Sequence, residues 1–62
     1  MTLLLTQREA ASVLRLSERT LERLRGSGLG PKFCRMHRSI RYRQTDLEDW
    51  IASRVEIGRA HV

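Results

Sequence analysis

A chain of 62 residues is at most one domain, and a domain of this size buries only roughly 60% of the surface that its unfolded chain exposes. Its hydrophobic content of 40% and charged content of 31% favour a folded globular module over a disordered tail. The net charge is +5, and eleven of the twelve basic residues are arginine. Because the flat guanidinium matches phosphate oxygens and the guanine edge, this bias favours a nucleic-acid partner, with a merely solvated basic surface as the alternative.

Several other classes of protein are excluded by what the chain lacks. The single cysteine, Cys34, cannot form an internal disulfide, and with only His37 and His61 beside it there is no four-ligand zinc set. The leucine-rich start has no basic segment before it and runs directly into charged residues, unlike a signal peptide or a membrane span. No nucleophile lies beside a base. We therefore expect a cytoplasmic protein that is not an enzyme and has no catalytic residues, metal, cofactor, small-molecule ligand or membrane partner.

A first helix is predicted to begin at Gln7. Thr6 and Glu9 have the spacing of a capping box, in which each side chain accepts a hydrogen bond from the other residue's backbone N–H. Leu5, just before the cap, is placed to pack against the first turns of the helix. The predicted inward stripe is made of small and apolar residues, Ala10, Ala11, Val13 and Leu14.

A second helix is predicted after a short turn at Arg15 and Leu16, with Ser17 as its N-cap. Leu21 and Leu24 define its buried side, because residues three apart lie on the same face of a helix. The run of glycines and a proline that follows residue 25 is predicted to end the helix pair. The outward side of the second helix is charged and carries Arg19, Glu22 and Arg23.

Residues 32–43 have the alternating pattern of a β-hairpin, and pairing them about Arg38 keeps the apolar residues on one face. The apolar pairs in this register are Met36 with Ile40 and Cys34 with Tyr42. The other face then carries Arg35 directly across from Arg41, an arrangement that is destabilising unless an anion such as a phosphate lies over it. A two-residue turn at residues 37–38 would scramble the faces, so the first register is preferred.

A third helix is predicted to begin at a second capping box, formed by Thr45 and Glu48. Leu47, Trp50 and Ile51 have helical spacing and are expected to close the core, with Trp50 as the largest buried side chain. Its loss is expected to unfold the domain at about 3–5 kcal/mol. Residues 1–56 are thus predicted to form one domain, and 57–62 an unstructured tail. Because IGRAHV is also the translation of a sequencing-library adapter, we interpret that tail as non-native.

The order of these elements closely resembles that of the small winged helix-turn-helix proteins of the MerR-like superfamily, above all the excisionase and AlpA-like branch. The resemblance is carried by the phrases LTQREAASVLRLSERTLERL, GPKFCRM and IRYRQTDLEDWI. It implies a mainly α fold with a small β-hairpin, consisting of a helix-turn-helix, a two-stranded wing and a C-terminal helix. Members of this branch often carry glycine where this chain has Arg15 and His37.

The resemblance also implies a DNA interface, with the second helix in the major groove and the wing on the backbone or an adjacent minor groove. Arg19 and Arg23 are the expected readers of base edges. Glu18 and Glu22 would orient them or accept from cytosine N4. The remaining candidates are neutral or cationic residues that would contact phosphates or the minor groove: Arg15, Ser17 and Thr20 in the helix pair, and Arg35, Arg38 and Arg41 in the wing. A merely solvated helix face is the alternative.

The expected function is sequence-specific binding of double-stranded DNA by a phage or mobile-element protein, either an excisionase-like directionality factor or an AlpA-type transcription regulator. Self-association on repeated sites is expected, because one domain reads only a few base pairs. Two alternatives remain, a DNA-binding fragment of an effector-sensing MerR-type regulator and a basic protein-binding adaptor. RNA binding is disfavoured because the aromatic residues that it would use are predicted to be buried: Phe33, Tyr42 and Trp50.

Overall fold

Three helices and three short strands follow one another in residues 3–55, the part of the chain that the computed structural model describes. The strands are β1 (Leu4–Thr6), β2 (Cys34–Met36) and β3 (Ser39–Arg43). The helices are α1 (Gln7–Leu14), α2 (Glu18–Ser27) and α3 (Gln44–Arg54). This mainly α architecture with a small sheet confirms the predicted winged helix-turn-helix. The predicted tail, residues 57–62, lies outside the described residues.

Local capping fixes the start of the first two helices, as the sequence predicted. The Thr6 hydroxyl accepts from the Glu9 N–H at 3.1 Å, and the Glu9 carboxylate accepts from the Thr6 N–H at 2.9 Å. Ser17 Oγ accepts from the Thr20 N–H at 3.1 Å. Satisfying these otherwise unpaired N–H groups stabilises each helix end by roughly 0.5–2 kcal/mol. The glycine and proline run after residue 25 ends α2 as predicted, with Gly28 as a left-handed C-cap, although the helix continues two residues beyond Arg25.

The two turns that shape the motif each contain a non-glycine residue with positive φ. Arg15, the C-cap of α1, has φ 58°, and His37, at the wing tip, has φ 57°. This left-handed region disfavours residues that carry a Cβ atom. Both residues stand where proteins of the resembling branch often carry glycine. The polypeptide therefore keeps the glycine conformation at these turns without the glycine.

Replacing His37 by glycine is expected to raise the free energy of unfolding by about 0.5–1 kcal/mol, because glycine adopts positive φ without a steric penalty. Urea denaturation followed by circular dichroism would measure the change. Arg38→Gly is the matched control, since Arg38 lies in the same turn and its φ is not positive. Equal stabilisation by both substitutions would show that the conformation of His37 is not the cause.

The sheet contains a strand that the sequence did not reveal. Strand β3 is central, with β1 antiparallel on one side and β2 antiparallel on the other. Leu5 pairs with Tyr42, and both side chains are buried, with exposed fractions of 8% and 0%. Only three residues long, β1 is too short to show an alternating pattern. Its role is to deliver Leu5 to the core and to anchor the wing against the start of α1.

The predicted register of the hairpin is wrong. Its partners across the ladder are Cys34 with Arg41, Arg35 with Ile40, and Met36 with Ser39, joined by a two-residue turn at residues 37–38. The left-handed conformation of His37 permits this tighter turn. Because side chains alternate between faces, Arg35 shares the inner face with Ile40, whereas Arg41 lies on the outer face with Cys34.

The core lies where α1, α2 and α3 meet the inner face of the sheet. It consists of Leu5, Ala10, Ala11, Leu21, Tyr42 and Leu47, with Leu14 and Ile40 packed against them. The predicted burial of Val13 and Ile51 is wrong, since 54% and 41% of these residues are exposed. The largest fully buried side chain is Tyr42 rather than the predicted Trp50, which is half-buried. The indole N–H of Trp50 donates to the Leu29 carbonyl at 3.0 Å, which holds the ring at the rim of the core.

An ion pair, rather than the predicted cap at Thr45, starts the third helix. Helix α3 begins at Gln44, and its N-cap residue, Arg43, makes no side-chain capping bond. Instead Arg43 Nε and Nη2 donate to the two carboxylate oxygens of Asp46 at 2.7 and 2.9 Å. The hydrogen bonds from Arg43 lower the pKa of the buried Asp46 carboxyl below its usual value. The ionised carboxylate also suits the positive end of the helix dipole.

The protein is expected to lose stability in acid through this ion pair. A carboxyl whose pKa is lower when folded stabilises the fold above its unfolded pKa of about 3.9, and the stabilisation disappears as the pH falls through the folded pKa. The urea midpoint should therefore decrease below about pH 4. Asp46→Asn should flatten that decrease, whereas Asp49→Asn, which alters an exposed carboxyl of the same helix, should leave it in place. Equal pH profiles for wild type and Asp46→Asn would contradict the assignment.

Candidate nucleic-acid interface

The outward face of α2 carries a charged strip over residues 18–23. Leu21 is fully buried on the inner side. The exposed residues opposite it are Glu18, Arg19, Glu22 and Arg23, which will be called the α2 strip. With ten residues, α2 is about 15 Å long, which suits a B-DNA major groove about 12 Å wide. The structure thus exposes all four charged candidates that the sequence placed on this helix.

Two hydroxyls and an arginine surround the start of α2. Ser17 Oγ accepts from the Thr20 N–H and donates to Thr20 Oγ1 at 2.9 Å, so its proton is used within the protein. The Thr20 hydroxyl accepts that bond and keeps its own proton free to donate. Arg15 is exposed in the preceding turn. Thr20 and Arg15 are therefore better suited than Ser17 to contact a phosphate at the positive end of the helix dipole.

The three candidate arginines of the wing do not form one cluster. Arg38 is exposed in the turn, and Arg35 is exposed on the inner face of β2. Arg41 lies on the outer face, half-buried, with Nη1 donating to the Ile40 carbonyl at 2.9 Å. The predicted pair of Arg35 and Arg41 awaiting one phosphate is therefore wrong, because the observed register places them on opposite faces. Arg35 and Arg38 remain available to an anion on the α2 side of the wing and at its tip.

A hydrogen-bond network that the sequence did not indicate joins the wing to α2. Arg25 Nη1 donates to Gln7 Oε1 and to Tyr42 Oη, the latter at 3.1 Å. Gln7 Nε2 in turn donates to Glu22 Oε2 at 3.0 Å. Residues 7, 22, 25 and 42 come from three different elements, so no local spacing could have revealed their contact. This set, Tyr42, Arg25, Gln7 and Glu22, will be called the junction network.

An aromatic ring lies between two arginines beside this network. Phe33 is 36% exposed and its ring is 6.2 Å from that of Tyr42, centroid to centroid. The guanidinium carbons of Arg25 and Arg35 lie 5.8 and 6.0 Å from the Phe33 ring centroid. The predicted burial of Phe33 is thus wrong. The exposed ring makes cation–π contacts with two arginines at the base of the wing.

The arginines of this surface form no ion pair within the described residues, although Glu18 and Glu22 lie on the same strip. Within residues 3–55 the one ion pair is that between Arg43 and Asp46, at the start of α3. The arginines of the α2 strip and of the wing therefore have no carboxylate partner in the described part of the chain. Together with Arg15, Arg35 and Arg38, the arginines of the strip outnumber its two glutamates, and such a positive excess attracts polyanions over about 10 Å at ordinary salt.

Other kinds of site are not visible in the same region. Among residues 3–55, no group of three or more His, Cys, Asp and Glu side chains is arranged to hold a metal ion. In that span there is also no helix both long and apolar enough to cross a membrane. The chemistry that the described surface offers is that of hydrogen-bond donors with an excess of positive charge, together with the acceptor carboxylates of Glu18 and Glu22.

Comparison with known protein families identifies the fold's relatives at the level of a family. A family model described as a helix-turn-helix domain matches residues 4–55, which include every strand and helix described above. A search of curated proteins finds no match. The matched span covers the α2 strip, the wing and the junction network.

Proposed function

The chain belongs to the helix-turn-helix domain family, and we propose that it binds double-stranded DNA sequence-specifically, with α2 in the major groove. The β2–β3 wing would lie on the backbone or in the adjacent minor groove. The observation that carries this proposal is the α2 strip, an exposed charged row whose arginines have no carboxylate partner in residues 3–55. A duplex-DNA partner agrees with the cytoplasmic location expected from the sequence.

Each residue type on this surface has a distinct role in the proposed complex. Arg19 and Arg23 present paired donors that match O6 and N7 of guanine, and each good pair is worth about 1–3 kcal/mol of discrimination. Glu18 and Glu22 would accept from cytosine N4. The phosphate contacts come from the ends of the surface and set the position of the protein without reading bases: Arg15, Thr20, Arg35 and Arg38. Arg41, on the outer face of the sheet, is the weakest candidate.

The biological role that we infer is that of an excisionase-like directionality factor or an AlpA-type transcription regulator. It rests on the similarity of the helix-turn-helix and wing phrases to that branch. One α2 helix reads only a few base pairs, so useful affinity requires several copies on adjacent sites. A DNA-binding fragment of an effector-sensing regulator would make the same contacts. Stepwise complexes on duplexes with one, two and three copies of the selected site would test this self-association.

Selection from a pool of random-sequence duplexes tests the proposed function. Wild-type protein is expected to enrich a short motif and to bind it at least tenfold more tightly than a scrambled duplex of equal length. Single-stranded RNA of the same length serves as a competitor, because the exposed Phe33 ring offers one aromatic surface. Failure to bind any duplex would favour the protein-adaptor alternative, and stronger competition by RNA than by duplex would contradict the proposal.

A further inference from the structure

The junction network connects a buried residue of the wing to an exposed residue of α2, the helix proposed to enter the major groove and called the recognition helix below. Tyr42, at the centre of the core, is fully buried, whereas Glu22 belongs to the α2 strip. Between them stand the half-buried side chains of Arg25 and Gln7. Three consecutive hydrogen bonds lead from the Tyr42 hydroxyl to the Glu22 carboxylate. The exposed end of this chain lies on the face that would enter the major groove.

The chemistry of the four groups fixes the direction of every hydrogen bond. Arginine has only donors, so the Gln7 atom that faces Arg25 must be the amide oxygen. The amide nitrogen of Gln7 therefore faces away from Arg25 and donates to Glu22 Oε2. Arg25 itself is held by the Tyr42 hydroxyl, whose position is set by the packed core. The network can thus present a donor, but not an acceptor, to the residue at position 22.

A fixed donor matters because an exposed glutamate samples many rotamers and is repelled by phosphates. Gln7 binds one oxygen of Glu22, Oε2, and leaves Oε1 as the atom that can accept from a base. Ordering the carboxylate before DNA arrives removes part of the conformational entropy that binding would otherwise lose. An acceptor held in the major groove favours the amino group of cytosine and disfavours the O6 and N7 acceptors of guanine.

We propose that Gln7, on the first helix, is a positioning residue that determines sequence specificity by holding the Glu22 carboxylate for a cytosine amino group. This inference rests on the proposed function, because it needs α2 in the major groove. It assigns a role in base selection to a residue of α1 that need not touch DNA. Arg25 and Tyr42 belong to the same hydrogen-bond network and fix the orientation of the Gln7 amide.

A polarity exchange between positions 7 and 22 tests this inference. Glu22→Ala first identifies the base pair that depends on Glu22, by titration of the selected duplex and of its single-base variants. Gln7→Glu still accepts from Arg25 but replaces the donor to Glu22 by a repelling carboxylate. It should lower the discrimination at that same base pair about tenfold. A glutamate is favourable at this first position of α1, so folding is expected to be retained, which a thermal melt would verify.

The double variant Gln7→Glu with Glu22→Gln supplies the rescue. The new carboxylate at position 7 accepts both from Arg25 and from the new amide at position 22, whose oxygen again faces the base. Glu22→Gln alone instead turns its amide nitrogen to the base, because Gln7 occupies its oxygen. We therefore expect each single variant to lose discrimination at that base pair and the double variant to recover it.

Three outcomes would overturn the inference while leaving the proposed function standing. The first is unchanged discrimination at that base pair in Gln7→Glu. The second is that Glu22→Ala loses discrimination at no base pair. The third is a uniform loss of affinity for all duplexes in Gln7→Glu that the added Glu22→Gln substitution does not restore. That pattern would mark a purely structural role for Gln7. A wild-type protein that binds no duplex would instead overturn the proposed function itself.

Discussion

Replacing Tyr42 by alanine is expected to remove about 3–5 kcal/mol of stability, the usual effect of deleting a core aromatic side chain. Tyr42 is the largest fully buried side chain, it lies opposite Leu5 in the sheet, and its hydroxyl accepts from Arg25. A domain of this size has only roughly 3–8 kcal/mol of total stability. The variant should therefore be largely unfolded at 37 °C. The wing and α2 would lose the buried side chain that both contact.

Urea denaturation followed by far-ultraviolet circular dichroism measures this effect without relying on tryptophan fluorescence. Trp50→Ala is the informative comparison. Because Trp50 is half-buried, its replacement should lower the free energy of unfolding clearly less than Tyr42→Ala does. Tyr42→Phe retains the ring and removes only the hydrogen bond to Arg25, at about 1 kcal/mol. If Trp50→Ala proved as damaging as Tyr42→Ala, the centre of the core would lie at α3 rather than at β3.

The double substitution Arg19→Ala and Arg23→Ala is expected to abolish sequence preference while leaving the fold intact. Both residues are exposed on α2, so their removal creates no cavity and breaks no described ion pair. Each bidentate contact to a guanine is worth about 1–3 kcal/mol, so each single variant should weaken binding to the selected duplex about 5–150-fold. Binding of the double variant to selected and scrambled duplexes should then be nearly equal.

Titration of both duplexes by fluorescence anisotropy measures this difference. Arg8→Ala is the matched control, because it removes the same charge from an exposed position on α1. We expect Arg8→Ala to change the two affinities by the same small factor and so to preserve their ratio. A loss of preference as large in Arg8→Ala as in the α2 variants would mean that α2 is not the element that reads the bases.

The parts of the fold that could be predicted from the sequence are those fixed by neighbouring residues. Thr6, Glu9 and Ser17 act within one helical turn, and their spacing alone located the starts of α1 and α2. The outward side of α2 could also be predicted, because the helical period sets it opposite Leu21. Leu21 was expected to be buried and is. The family match to residues 4–55 and the observed topology agree with the fold that these signals indicated.

The errors occurred wherever distant residues decide the conformation. The hairpin has the two-residue turn that the left-handed conformation of His37 permits, and its strand β3 also pairs on the other side with β1, where Leu5 lies opposite Tyr42. The start of α3 is an exception, because Arg43 lies only three residues before Asp46; it was missed because arginine is not a capping residue and acts here through a side-chain ion pair. Trp50 has the spacing of a core residue, but its indole N–H needs an acceptor and finds one at the surface, in the loop after α2.

The candidate site likewise has a part that could be predicted from the sequence and a part that could not. The sequence was sufficient to list the charged residues of α2 and the wing, because exposure on a helix follows from its period. It could not show that Arg35 and Arg41 lie on opposite faces, or that Gln7 reaches Glu22 across fifteen residues of chain. Both facts depend on how the elements pack together, which is where the proposed specificity arises.

The salt dependence of binding to a mixed-sequence duplex tests the central claim most directly. Each phosphate neutralised by a cation contributes about −0.9 to the slope of log K against log salt concentration. On a mixed-sequence duplex Arg19 and Arg23 lack their preferred guanines, so they join Arg15, Arg35 and Arg38 as cations that can neutralise phosphates, which gives four or five such contacts. We therefore expect a slope of about −4 between 50 and 300 mM salt. A slope near zero, or no duplex binding at 50 mM salt, would contradict the assignment of this surface to DNA.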